Sequence, residues 1–269
     1  MPKEFLILET TVDNCTAEVQ VNGVPFRLLT ELSTLDSRPI HQYLTPGPNK
    51  FTLVVHPGPT PGSAMTEQPE PFVPKAPASA TMRLMSMPQG AFPEDPGVRE
   101  LFKQAWNGTA GKPVKAPVLV EHSMEIPGYG HRWEWLEGAS FDSAASFQAV
   151  IELIRECRDG FSRGDPEPFL ARAEVRFRVM SLAYGLDVNS EMARVRADIK
   201  ALSTEPGFQM ETIDAQSADL RVCGGGKLMD CVDRSWEPLL RSTKKPNGLI
   251  RARYPAKVAR VGGTLQIVL

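Results

Sequence analysis

Residues 140–169 read SFDSAASFQAVIELIRECRDGFSRGDPEPF, and this stretch decides the fold. Asp142 or Ser143 can cap a helix, after which Phe147, Val150, Ile151, Ile154 and Phe161 recur at helical spacing on one face. The run predicts a helix to about Phe161. Asp165 then caps a second helix, with Pro166 at the first helical position, where its missing N–H is no loss, and Gly185 as the stop. A third is predicted after Ser190, carried by Met192, Val195, Ile199 and Leu202.

Upstream of Ser140 the period changes. Phe5–Thr11 reads as a strand, and in CTAEVQVNGVPFRLL (15–29) Ala17, Val19 and Val21 alternate with polar residues ahead of an Asn22-Gly23 hairpin turn. Phe51–Val55, Ala80–Met87, Val118–Glu125 and His131–Leu136 repeat the theme. One helix, Val98–Trp106, interrupts them after Pro96-Gly97. Many short strands with Gly and Pro between them imply a β-sandwich over residues 1–139. Its proline-rich loop, 57–78, holds seven prolines, which donate no ladder hydrogen bond and so exclude a central strand. It reads as a connector rather than as a ligand for an aromatic groove.

Downstream of the helices, FQMETID, ADLRVC, KLMDCVD, LIRARYPAKVARV and TLQIVL alternate like strands to residue 269. Helices followed by a sheet make residues 140–269 an α+β domain. The capped first helix, the GDPEPF break, the helix ending in AYG and the closing RVGGTLQIVL together resemble the NTF2-like (SnoaL-like, cystatin-type) superfamily. That resemblance implies helices packed into a curved antiparallel sheet, forming a cone. The fold class expected for the whole chain is α+β: an N-terminal β-sandwich followed by a C-terminal NTF2-like domain.

A chain of 269 residues exceeds one ordinary domain, which agrees with two. No run approaches the length needed to cross a bilayer, and the first residues lack a basic start, long apolar stretch and cleavage site. The expectation is a cytoplasmic protein with no membrane partner. Cys15, Cys157, Cys223 and Cys231 are scattered and read as buried free thiols.

VCGGGKLMDC (222–231) resembles a phosphate-binding loop, yet Lys227 is followed by leucine and the flanks are strands, so it reads as a hairpin turn. With its tip at Gly224–Gly226, Cys223 and Cys231 fall out of register. No histidine lies beyond His131, so no metal site or cofactor is expected. Ketosteroid-isomerase-like relatives of the NTF2 superfamily use a tyrosine with an aspartate, which Tyr184 and Asp233 can imitate. An enzyme acting on a small apolar molecule inside the cone is therefore one alternative function. In HRWEW, a strand puts His131, Trp133 and Trp135 on one face, either as core or as a sugar-stacking strip, the second alternative.

Charge gives the sharpest indication. From Arg221 onward ten Lys and Arg face three acids, so this segment carries seven surplus positive charges while the whole chain is at −2. Arg251 and Arg253 share a predicted strand face, Lys257 and Arg260 follow, and Lys244-Lys245 precede them; Trp236 and Tyr184 are the aromatic members of this candidate binding set. Such a surface suits an acidic protein partner better than nucleic acid, since few aromatics are interleaved and the pI is near 6.1. Balancing within the chain is the competing reading. The expected function is a non-catalytic binding or accessory protein, in the manner of a bacterial immunity or chaperone-like protein.

Overall fold

A computed structural model describes residues 4–56, 70–141, 144–244 and 249–269. Most of the proline-rich loop, the cap candidates Asp142 and Ser143, and Lys245 lie outside the described residues. The chain is mixed α+β, with three four-stranded antiparallel sheets, one two-stranded ribbon and four helices among the described residues. It divides into two compact units, Met1–His131 and Arg132–Leu269.

The first unit comprises β1 (Glu4–Asp13), β2 (Thr16–Val21), β3 (Val24–Leu29), β4 (Leu35–Pro39), β5 (Pro48–His56), β6 (Glu70–Phe72), β7 (Ala78–Pro88), β8 (Arg99–Gly108), β9 (Val114–Ala116) and β10 (Val118–Glu125). One sheet is ordered β4-β1-β7-β8 and a second β10-β5-β2-β3, while β6 pairs with β9. Both large sheets contribute to one hydrophobic cluster, with Leu6 and Leu8 from β1 meeting Ala17, Val19 and Phe51 from the second sheet. The β2–β3 hairpin turns on Asn22 and Gly23, both at positive φ (54° and 70°), the geometry that matches strand twist.

The helix expected over Val98–Trp106 is strand β8 instead. Leu84 faces Phe102 and Met85 faces Glu100, so Leu101 is an extra residue bulged out of the ladder. A bulge shifts the two-residue alternation by one, and Val98, Leu101, Phe102 and Trp106 then imitate helical spacing.

In the second unit a 3-10 turn at Glu134–Glu137 precedes α1 (Ala144–Ser162), α2 (Glu167–Arg172), α3 (Glu174–Tyr184) and α4 (Val188–Ser203). Strands β11 (Ala218–Cys223), β12 (Leu228–Asp233), β13 (Lys257–Val261) and β14 (Thr264–Ile267) form an antiparallel meander in that order. The expected second helix is two, interrupted at Ala173, and Asp165 Oδ1 accepts from the Glu167 amide at 3.1 Å. Gly185 ends α3 in the left-handed conformation. The α4 cap is Asp187, whose carboxylate accepts from Ser190 N at 2.7 Å, so Ser190 lies inside the helix rather than before it. Phe147, predicted on the buried face of α1, is 39% exposed.

FQMETID and the first part of LIRARYPAKVARV do not form strands. They are irregular backbone tied by single bridges, Met210 to Ser242, Ile250 to Lys244 and Arg253 to Arg241. One face of the meander presents Met229, Cys231, Val258 and Ile267 to Val150, Ile154 and Phe161 of α1, in one core.

Candidate functional site

The β11–β12 hairpin turns at Gly224, Gly225 and Gly226, all at positive φ. Cys223 faces Leu228 and Cys231 faces Leu220, so the two cysteines are out of register. The loop anchors the segment before α1: Phe141 N donates to Gly226 O at 2.9 Å and Lys227 Nζ to Gly138 O at 2.8 Å. The phosphate-gripping lysine of a nucleotide loop is here a structural strut.

The face of the meander opposite α1 carries a row of charge. Residues paired across strands point to the same side, and Arg221 faces Asp230, which faces Lys257. Asp230 takes Arg221 Nη2 on Oδ2 at 2.7 Å and Lys257 Nζ on Oδ1 at 2.6 Å. Trp236 underlies this row, its ring 3.6 Å from the Arg221 guanidinium carbon, held by a backbone at φ 66°. The turn that presents it is built by Asp233: Oδ1 accepts from Ser235 N and Glu237 N, and Oδ2 pairs with Arg241 at 2.8 Å. Asp219, two residues before Arg221, has a buried Oδ2 without a hydrogen-bond partner among the described residues, and burial pushes its carboxyl up.

These pairings replace the continuous basic face expected from sequence. Lys257 is 7% exposed and ion-paired. Arg253 grips Glu237 with two nitrogens, at 2.8 and 3.1 Å, and the pair holds the glutamate carboxyl below its usual range. Arg260 donates to Ser146 Oγ at 3.1 Å. Arg251 pairs with Glu205 at 2.8 Å and sits on irregular backbone, so it shares no strand face with Arg253. The partners come from distant segments, which is why counting charge along the sequence overstates the free surplus.

The aromatic candidates are also placed inward. Trp133 and Trp135 are 2% and 1% exposed; Trp133 precedes and Trp135 lies in the 3-10 turn, so the shared strand face predicted for them does not form. Tyr184 ends α3 and is buried. The space between helices and sheet, which a cone would leave for a substrate, is occupied by Phe161, Phe169, Leu170, Phe177 and Met229. Tyr254 closes over it with its ring 4.8 Å from Phe161, and burial pushes its hydroxyl up to about 12. Asp233 is committed to Arg241 and its own turn. Among the described residues no three of His, Cys, Asp and Glu gather into a metal-binding group.

A cleft of about 200 Å³ is open, lined by Pro206, Gly207, Phe208, Gln209, Ser242, Thr243, Lys244 and Arg251. Its walls are stitched by Thr243 N to Gln209 O and Glu211 N to Arg241 O, each 2.8 Å. Ser242, 1% exposed, is the pin between two segments: its Oγ accepts from Arg251 N at 2.9 Å and Ala252 N at 3.1 Å. Arg251 reaches across to Pro206 O at 3.4 Å, and Lys244 is exposed. The lining offers a guanidinium, an ammonium, two hydroxyls and a carboxamide, with no acid–base pair; it is suited to holding an acceptor-rich group. Of the predicted set only Arg251 and its forerunner Lys244 come together here. Gln209, Ser242 and Thr243 escape a sequence reading, because 208–214 looks like a strand and nothing local signals the Met210–Ser242 bridge.

No protein-family model, no curated protein and no solved structure matches the chain.

Proposed function

We propose that the chain is a non-catalytic binding protein that recognises an acidic protein partner through the basic cleft of its second unit. The observation that carries this is the convergence of Lys244 and Arg251 on an open cleft, while the space a substrate would need between helices and sheet is filled by side chains. An accessory role in the cytoplasm, neutralising or holding a partner as immunity and chaperone-like proteins do, is the concrete form of this reading. An NTF2-like second unit remains part of it, supported by helices that precede a four-stranded meander and share one core with it. The first unit, two sheets around one core, is read as a β-sandwich on the same grounds.

The test is affinity capture from the native host with the parent chain and the Lys244→Glu/Arg251→Glu variant, the fold of each checked by circular dichroism. One protein retained by the parent, released by salt and lost from the variant supports the proposal. Equal retention by both, or nothing retained beyond empty resin, overturns it.

A further inference from the structure

We infer that the cleft is a monocarboxylate subsite that seats the side chain of a single glutamate or aspartate on an extended segment of the partner. This rests on the partner-binding reading and gives that reading its contact chemistry.

Size comes first. A volume of about 200 Å³ corresponds to roughly seven waters at ~30 Å³ each. That is ample for one side chain.

Ser242 supplies the second observation. Two backbone amides occupy the acceptor positions of its hydroxyl, so the only capacity left is its own proton. Among the described residues no hydrogen bond donated by that hydroxyl is found beside the two it accepts. Ser242 is 1% exposed and is one of the residues lining the cleft, and an oxygen brought against its hydroxyl would take that proton.

Charge selects the oxygen. Lys244 and Arg251 bring two positive charges, and Glu205 on Arg251 cancels one. The remaining single charge matches a carboxylate rather than a dianionic phosphate. Arg251 spends Nη1 on Glu205 and makes only long contacts, 3.4 Å, to Pro206 O, so Nη2 has a weak partner to exchange for a carboxylate oxygen. Thr243 and Gln209 add neutral donors on the rim. No covalent step is involved; binding is hydrogen bonding and charge.

The experiment is a ¹⁵N NMR titration of the full chain at constant ionic strength with N-acetyl-glutamate methylamide, the matching glutamine compound, and inorganic phosphate. The expected result is saturable shifts at Gly207, Gln209, Thr243 and Lys244 with the glutamate compound and none with the glutamine one. Ser242→Ala should weaken binding about tenfold, the loss of one charge-assisted hydrogen bond. Because Ser242 also pins backbone, Lys244→Ala at an exposed position is the second variant, expected to weaken binding without changing the spectrum elsewhere. Equal shifts with glutamine, equal affinity for phosphate at the same amides, or unchanged binding in both variants overturns the assignment. Binding of the glutamate compound with no captured partner leaves the subsite standing and removes the partner reading. A captured, charge-sensitive partner with no glutamate binding does the reverse.

Discussion

Lys257 Nζ lies 2.6 Å from Asp230 Oδ1, with both side chains less than a tenth exposed, and Arg221 holds the other oxygen of the same carboxylate. One anion therefore serves two cations. The asymmetry fixes which substitution is worse.

Asp230→Ala takes from buried Lys257 and partly buried Arg221 the carboxylate they share, and is expected to destabilise the fold by about 3–5 kcal/mol. Lys257→Met leaves Asp230 paired with Arg221 and is expected to lose roughly half of that. Urea denaturation of the two variants measures the order, and a costlier Lys257→Met would show that Arg221 contributes nothing to holding Asp230.

His41 sets a pH dependence in the first unit. Its Nε2 accepts from Leu6 N at 2.9 Å, so the ring is neutral, and burial together with neighbouring His131 lowers its pKa to about 4. The unfolded chain binds that proton near pH 6.5, so the unfolded state is favoured as pH falls from 6.5 towards 4, and the stabilisation is complete above 6.5. Urea titrations at pH 7.5 and 4.5 should differ by on the order of 2 kcal/mol from this group. His41→Gln, which can still accept the amide hydrogen bond, should remove that part of the difference.

Two glycines separate conformation from space. Gly225 has φ 66° with nothing within 4 Å of the point where a methyl carbon would sit, so Gly225→Ala is expected to cost about 1 kcal/mol from backbone alone. Gly138 has an ordinary φ of −64°, but a Cβ there would collide with the backbone oxygen of Arg260. Gly138→Ala should cost about 3 kcal/mol, the upper end for overpacking, read as a lower melting midpoint than Gly225→Ala.

Thiol reactivity should follow burial. Burial pushes Cys15 up to about 11, Cys157 up to about 12 and Cys231 well above its usual value, while Cys223 is partly exposed at the end of β11. Treatment of the native chain with an aromatic disulfide reagent at pH 8 should modify one thiol rapidly and all four only in denaturant. Cys223→Ser should abolish the fast phase.

Local signals carry most of the architecture. Alternation with an Asn-Gly turn locates β2 and β3, and Gly185 and the triple-glycine turn are placed by their need for positive φ. The failures arise where a distant partner decides the outcome. The β8 bulge is defined by β7, and the turn at Glu134–Glu137 breaks an alternation that looks extended. The basic residues are visible, but Glu205, Glu237 and Asp230, which neutralise Arg251, Arg253 and Lys257, are not their sequence neighbours. The cleft is least legible, since the two segments that line most of it are joined by an isolated bridge between residues 210 and 242.

The row Arg221–Asp230–Lys257 also acts as a proofreading device for strand alignment. A slip of β12 by one residue would carry Asp230 to the core face and bring Met229 or Cys231 opposite Arg221. Both cations would then lose the carboxylate they share, and that carboxylate would enter hydrocarbon on the other side. Misaligned sheets are thereby separated from the native one by several kcal/mol, on the order of a broken buried ion pair.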